Sequence, residues 1–393
     1  MDVPALRSDP SARHMRDQVQ KRWKAAYAPV HHLDPVLIAA SLLLVVLGLV
    51  AIYSAKFAQL ELQGLPTDLY VTRQLLAFGV GLVAMAATAA LDYRTIRSYT
   101  PLLYVAGVLL LVLVLVIGDE NKGATSWISL GGFQFQPSEL MKVALLLTLG
   151  TALAERRDSG AVSTGVVLLL TGLPVALIVL QPDPGTALIL LFAAFAVLLV
   201  HGTRLVWLGG LVAGGVAALW TVLRLELLEE HQANRLTSFL NPGDSELARS
   251  LNYNTDQSLI AIGSGRFTGK GLFQGTQTNL SYVPENHTDF IFTVIGEEFG
   301  FLGAILCLGL FAVLLYRCLR IAASARDRFG MIVASGVTGL LAFQLFVNVG
   351  MTVGIMPVIG IPLPLVSYGG TSLIATMAML GLVLNIHMRR FRS

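Results

Sequence analysis

The residues of this sequence with the most chemistry to offer are a few ionisable side chains set inside or at the rims of long apolar runs. Asp289 follows Pro284-Glu285-Asn286-His287-Thr288 and opens an apolar stretch. Asp183 lies in Gln181-Pro182-Asp183-Pro184-Gly185, and Glu139 and Lys142 sit three apart at the start of another apolar run, on one helical face. A carboxylate in such a place can take a proton from an attacking hydroxyl or share a metal ion, and a lysine can neutralise an anionic leaving group. Each has a plainer alternative: a turn residue for Asp183, a helix N-cap for Asp289, and a charge-neutral pair for Glu139 with Lys142. Glu297 lies about 12 Å along a helix from Asp289 and roughly 80° round it, so it can share a cavity with Asp289, whereas Glu298 needs another partner.

The elements that must carry these residues are transmembrane helices. The chain has 393 residues, 55% hydrophobic and 13% charged, where a soluble domain has ~25% charged residues. A soluble globule is excluded. Apolar runs at about 35–55, 74–91, 99–118, 137–154, 163–180, 184–201, 205–223, 289–316, 329–352 and 367–387 predict ten spans and an all-α polytopic membrane protein. Basic residues flank alternate ends: Arg7 to Lys24, Arg94 and Arg97, Arg156 and Arg157, Arg204, Arg317 to Arg328, and Arg389 to Arg392. By the positive-inside rule both termini are then cytoplasmic. The division expected is a basic segment 1–34, a membrane domain 35–388 and a tail 389–393, with a long extracytoplasmic loop 225–288 between helices 7 and 8. Trp127, Glu139, Lys142, Asp183 and Asp289 all map to the outer half, a site open to the outer leaflet rather than to cytosolic nucleotides.

Other classes fall away. The formal net charge of +3 is too small for nucleic-acid binding, and Cys307 and Cys318 lie in one apolar stretch, which suits neither a disulfide framework nor a cysteine metal site. Gly263-Ser264-Gly265-Arg266-Phe267-Thr268-Gly269-Lys270-Gly271 looks phosphate-friendly, but it lacks Walker A spacing, and Gly271 stands where Ser or Thr would bind Mg²⁺. No histidine pair has zinc-ligand spacing.

Four blocks make the chain recognisable: Trp127-Ile-Ser-Leu-Gly131 with Gln136-Pro-Ser-Glu-Leu-Met-Lys142; Gln181-Pro-Asp-Pro-Gly-Thr186; Pro284-Glu-Asn-His-Thr-Asp-Phe-Ile-Phe292; and Pro362-Leu-Pro-Leu-Val-Ser-Tyr-Gly-Gly370. With them the sequence resembles the SEDS family of bacterial cell-wall proteins (shape, elongation, division and sporulation). The stretch from Gln257 to Gly265, with Gly269-Lys270-Gly271 and Gly275-Thr276-Gln277, looks like the RodA elongation branch rather than the FtsW division branch. One departure is Arg266, where the family usually continues with a second glycine. The resemblance implies a peptidoglycan glycosyltransferase that polymerises lipid II at the outer face of the bacterial cytoplasmic membrane during elongation, with inversion at the donor anomeric carbon and undecaprenyl pyrophosphate leaving. It implies Asp289 as the essential aspartate, Trp127, Glu139, Lys142 and Asp183 as supporting polar residues, a divalent cation (Mg²⁺ or Mn²⁺) and a class B penicillin-binding protein as partner. Lys142, Arg266 and Lys270 are the cations available to the departing pyrophosphate. The rival readings are a lipid II flippase, a division or sporulation paralogue, and a membrane scaffold.

Overall fold

The computed structural model describes residues 32–121, 124–130, 133–156, 158, 160–224 and 246–390. Segment 1–31, Arg157, loop residues 225–245 and the final residues 391–393 lie outside the described residues, and with them most of the expected N-terminal segment and tail.

The chain is a helical bundle. Helix α1 (Pro35–Leu62) starts where Asp34 accepts hydrogen bonds from the backbone N–H of Val36 and Leu37, with proline in the first turn where no N–H is needed. Helices α2 (Leu69–Ala90), α3 (Tyr93–Ser98) and α4 (Thr100–Ile117) follow, then a small antiparallel sheet of β1 (Asp119–Asn121), β2 (Ala124–Leu130) and β3 (Phe133–Phe135). Next come α5 (Pro137–Ala154), α6 (Ala161–Val179), α7 (Pro184–His201) and α8 (Leu205–Arg224). Beyond the undescribed part of the long loop lie α9 (Glu246–Gly265), α10 (Thr276–Asn279), α11 (Ile291–Glu298), α12 (Gly300–Ala323), α13 (Arg328–Thr352) and α14 (Gly370–Met388).

Among the described residues nine helices are long and apolar enough to cross a membrane: α1, α2, α4, α5, α6, α7, α12, α13 and α14. The seventh expected span is present as α8, but its apolar stretch, Leu205–Ala218, is shorter than the rest. The eighth expected span, 289–316, is two helices rather than one. Gly300 takes a left-handed φ of 64°, which ends α11 and lets α12 leave in a new direction. The last span begins at Gly370 instead of 367, because residues 364–368 form a turn in which Ser367 N donates to the Leu363 carbonyl and Leu365 takes a left-handed φ of 65°. The three-stranded sheet and the ordered α9 and α10 were not legible as such in the sequence.

Helices α5, α7, α13 and α14 are mostly buried by their neighbours, while α2, α4, α6 and α12 turn most of their apolar surface outward. So much outward apolar surface suits lipid contact and not water. Charged contacts gather at one end of the bundle: Arg317 with Asp34, Arg97 with Glu155, Arg389 with Asp92, and Tyr93 with Asp327. Burial raises the Asp34 carboxyl, but hydrogen bonds from Arg317 and the Leu37 N–H outweigh it and hold the group below the usual carboxylate range.

Small residues set the crossing of α14 with α2. Where α14 meets α2, a methyl group on Gly381 would overlap Thr88 Oγ1 and the Met85 carbonyl, and Thr88 Oγ1 donates to the Ala378 carbonyl at 3.0 Å. Gly381→Ala is therefore expected to lower the melting temperature of the detergent-solubilised protein, at a cost of about 1–3 kcal/mol for overpacking. Gly309→Ala, with no atom within 4 Å of the added carbon, should leave it unchanged.

Candidate active site

Asp289 sits at the end of the bundle opposite the Asp34–Arg317 pair, half-buried at the close of a turn. The turn is held by backbone hydrogen bonds from Thr288 N and Phe290 N to the Glu285 carbonyl, and Thr288 Oγ1 donates to Glu285 Oε2 at 2.9 Å. A fully buried amide fixes its position: Asn348 of α13 donates to the Asp289 carbonyl at 2.8 Å and to the Ile361 carbonyl at 2.7 Å. Segment 359–369, irregular to Leu363 and turned from Pro364 to Tyr368, then lies along the aspartate. Gly360, at φ 79°, faces Asp289 Oδ2 so closely that a methyl group there would stand 3.4 Å from it. Ser367 Oγ donates to the Thr288 carbonyl and Tyr368 N to the His287 carbonyl. Buried Gln74 of α2 clasps this segment from the far side, donating to the Ser367 carbonyl and accepting from Gly369 N. The anchor of the Pro-Leu-Pro-Leu-Val-Ser-Tyr-Gly-Gly block is thus a glutamine almost 300 residues away.

Aromatic rings and cations border the same turn. Tyr70, His287 and Tyr368 form a three-ring cluster, with Tyr70 edge-on to both others at centroid distances of 5.0 and 5.1 Å. Lys56 lies over the Tyr70 ring at 5.6 Å. Burial pushes the Tyr368 hydroxyl above its ordinary range, and the Arg73 guanidinium beside it pulls the other way. Sequence reasoning missed Lys56, Tyr70, Arg73 and Gln74, because charged and polar residues near a helix end read as ordinary flanks.

Asp183 caps α7, accepting from Thr186 N at 3.0 Å and Thr186 Oγ1 at 2.8 Å. Gln136 Nε2 donates to Asp183 Oδ2 at 3.1 Å, which ties the cap to the start of α5. The turn also touches the segment beside Asp289, since a methyl group on Gly185 would stand 3.2 Å from the Ile359 carbonyl. Asp183 and Asp289 therefore flank one stretch of chain, 359–361. Trp127 lies half-buried on β2, opposite Asp119 of β1, and that sheet rests on α4, α5 and α14.

Glu139 and Lys142 form an ion pair at 2.7 Å in which both side chains are almost fully enclosed. Packing of α5 against α13 is antiparallel: Gly150 meets Val333 and Gly336 meets Leu146. Continued up both helices, that register sets Glu139 level with Gln344, an enclosed amide with neither polar atom partnered among the described residues.

Glu297 and Lys270 are brought together with each other. The carboxylate of Glu297 turns to the segment 270–278, accepting from Lys270 Nζ at 2.7 Å, Gln277 N at 2.9 Å, Thr278 N at 3.0 Å and Thr278 Oγ1 at 2.8 Å. Burial alone would raise this carboxyl, but the lysine and the backbone donors more than offset it and hold the group below the usual carboxylate range. The positive charge of Lys270 is therefore already matched. Glu298, which needed another partner, accepts from Ser54 of α1 at 2.6 Å. Arg266 takes the left-handed backbone region that favours glycine, at φ 51°.

Among the described residues no group of three or more His, Cys, Asp and Glu side chains could cage a metal. One or two carboxylates can still share a Mg²⁺ with substrate phosphates and waters. Asp289, half-buried beside a backbone turn and near cationic side chains, is of that kind.

Comparison with known proteins agrees with the geometry. Residues 35–391 match the FtsW/RodA/SpoVE cell-cycle protein family. The chain is 39% identical over 363 residues to the peptidoglycan glycosyltransferase MrdB of Escherichia coli (strain K12), covering 91% of this chain and 94% of that one. It is 37% identical to stage V sporulation protein E of Bacillus subtilis (strain 168), covering 90% and 96%. Among solved structures it resembles a chain of a peptidoglycan synthase complex that coordinates polymerization and crosslinking, at a TM-score of 0.78 and 36% identity over 92% of this chain and 99% of that one. The rod shape-determining protein RodA of Thermus thermophilus matches at a TM-score of 0.68 and 36% identity, over 92% and 98%. With nine helices among the described residues long and apolar enough to cross a membrane, and with these relatives spanning almost its whole length, the chain belongs to the FtsW/RodA/SpoVE, or SEDS, family of multi-pass bacterial inner-membrane proteins.

Proposed function

We propose that this protein is a peptidoglycan glycosyltransferase of the elongation type, joining lipid II units into glycan strands at the outer face of the cytoplasmic membrane. Ten spans carry it, with α8 the seventh, both termini cytoplasmic and the long loop outside. The clustering of Arg97, Arg317, Arg328 and Arg389 at the end away from Asp289 supports that orientation. The observation that carries the reading is the placement of Asp289. A half-buried carboxylate is fixed by Asn348 through its own backbone and faces Gly360, and the turn that carries it also presents His287 to the rings of Tyr70 and Tyr368, with Lys56 over the first and Arg73 beside the second.

Asp289 takes the proton of the acceptor sugar's 4-hydroxyl as that oxygen attacks the donor anomeric carbon. The bond to the pyrophosphate breaks and the configuration inverts. Loss of charge from a preorganised position costs no reorganisation at the moment of reaction, which is what the Asn348 and Gln74 anchors supply. Asp183 or Asp289, on either side of segment 359–361, would hold the divalent cation, which when bound supplies charge neutralisation for phosphate oxygens. Trp127, Glu139 and Lys142 shape and charge-balance the neighbouring wall. The partner is a class B penicillin-binding protein that crosslinks the strands.

Reconstitution with that partner tests the reading. Proteoliposomes given lipid II only on the exposed leaflet are expected to yield polymer without translocation. Movement of lipid II across the bilayer with no polymer would instead make the protein a flippase.

A further inference from the structure

The glycine-rich run 263–275 has the look of a phosphate cradle, yet its N–H groups at Lys270 and Gly271 go to carbonyls of α11, and its lysine and the residues just after it hold an anion of the chain itself. Segment 265–278 wraps the junction of α11 and α12 backbone to backbone. Lys270 N donates to the Glu297 carbonyl and Gly271 N to the Glu298 carbonyl, both at 3.0 Å, and Phe301 N donates to the Arg266 carbonyl at 2.9 Å. Side chains are excluded from that contact. A methyl group on Gly265 would overlap the Gly296 carbonyl, one on Gly269 would overlap the Glu298 carbonyl, and one on Gly275 would stand 2.9 Å from Glu297 Oε2. Into this concavity Glu297, with no exposed surface, places both carboxylate oxygens against an ammonium, two backbone N–H groups and a hydroxyl. The arrangement is that of an anion-binding nest whose ligand is covalently supplied.

The nest connects to the site through few intermediates. The Thr278 carbonyl accepts from Asn286 Nδ2 at 3.4 Å, and the same amide reaches the Ala55 carbonyl of α1 at 3.5 Å. Asn286 lies within the Glu285–Phe290 turn that carries Asp289. On the other side, Ser54 links Glu298 to the Phe273 N–H, and the Phe273 ring packs on Tyr53 and Phe57 of α1.

We infer that Glu297 is a positioning residue for the proposed reaction: as the internal ligand of the 265–278 nest it locks that segment to α11, and the locked segment holds the Asp289 turn in its working place. This rests on the polymerase reading of the site and gives Glu297 and Lys270 a role away from the substrate phosphates. In Glu297→Gln one carboxylate oxygen becomes an NH₂ that meets N–H and O–H donors, and the ammonium of Lys270 loses its counter-charge.

The experiment uses the full chain reconstituted with its transpeptidase partner, lipid II titrated as substrate, and hydrogen exchange followed across residues 266–290. For Glu297→Gln, kcat is expected to fall about 10- to 100-fold through misplacement of the reacting group, with KM for lipid II within about twofold. Exchange at 270–288 should quicken. Lys270→Met should lose less, because three donors still hold the carboxylate. Thr278→Val, which keeps every charge, should shift kcat and exchange in the same direction and serves if Glu297→Gln does not fold. The inference is overturned if Lys270→Met raises KM more than Glu297→Gln lowers kcat, which would mark a direct phosphate contact. It is equally overturned if Glu297→Gln, or Thr278→Val in its place, changes neither kcat nor exchange. Hydrogen exchange reads the lock without turnover, so failure of the lock and failure of the polymerase reading give different results.

Discussion

Asp289→Asn is expected to abolish glycan polymerisation, by about 10²- to 10⁴-fold as for the loss of a positioned general base, while the protein still folds. The separation of effects follows from which atoms do what. One structural bond at this residue is made by its backbone carbonyl, which accepts from Asn348 Nδ2 and survives any change of side chain. The side chain instead faces Gly360 and is only half-buried, so an amide of the same size fits the space. Asp289→Ala should lose as much activity as Asp289→Asn, because neither can accept the hydroxyl proton. Asp289→Glu should retain more, limited by crowding against the left-handed Gly360 turn. The check is the rate at which labelled lipid II becomes polymer, with the partner present, alongside the melting temperature of each variant. Conversion by Asp289→Asn at more than a tenth of the wild-type rate would remove the aspartate from the chemistry.

How much of this was legible beforehand depended on the range of the interactions. The spans were legible because lipid imposes a local pattern, ~20 apolar residues with basic flanks, that can be read window by window. Asp289 and Asp183 stood out because a carboxylate at a span boundary costs free energy without a purpose. Glu139 with Lys142 was readable as a pair because the helix fixes their spacing, and the structure places them 2.7 Å apart. Helix breaks were harder. Nothing in Glu297-Glu298-Phe299-Gly300 marks a stop within an apolar run, and only the backbone wrapping by Arg266 to Gly271 shows why the chain turns there. The same holds for Gln74, Asn348 and Gln344, polar residues inside apolar helices. Their partners are between 13 and 295 residues away where the hydrogen bonds are seen, and no local rule predicts them. The glycine run, set aside for lacking Walker A spacing, carries a lysine that pairs with Glu297, and nothing local in the sequence says that this carboxylate reaches it.

Breaking the buried ion pair separates a structural role from a catalytic one. Lys142→Met leaves the Glu139 carboxylate enclosed without a counter-charge, and Glu139→Gln leaves the Lys142 ammonium in the same condition. Each single variant is expected to lose about 3–5 kcal/mol of stability, the cost of an uncompensated buried charge. The double variant Glu139→Gln with Lys142→Met should recover most of that loss, because replacing a whole buried ion pair by neutral groups of similar volume is often close to neutral. Activity should not recover with it. If the pair served only to carry two charges neutrally into the membrane, a stable double variant would polymerise lipid II normally. The pair lies instead at the start of α5, one turn from the Gln136 that holds Asp183, and level with the unpartnered amide of Gln344 on α13. That is a polar stratum at the height of the site, and on the proposed reading a charge there orients an anionic substrate as well as satisfying its neighbour. The expected result is a double variant whose melting temperature approaches that of the wild type and whose polymer yield stays at least tenfold lower, in keeping with the loss of a charge that stabilises a developing anion. Melting curves in detergent and polymer assays on the same four preparations decide it, and full activity in the stable double variant would reduce Glu139 and Lys142 to structural residues.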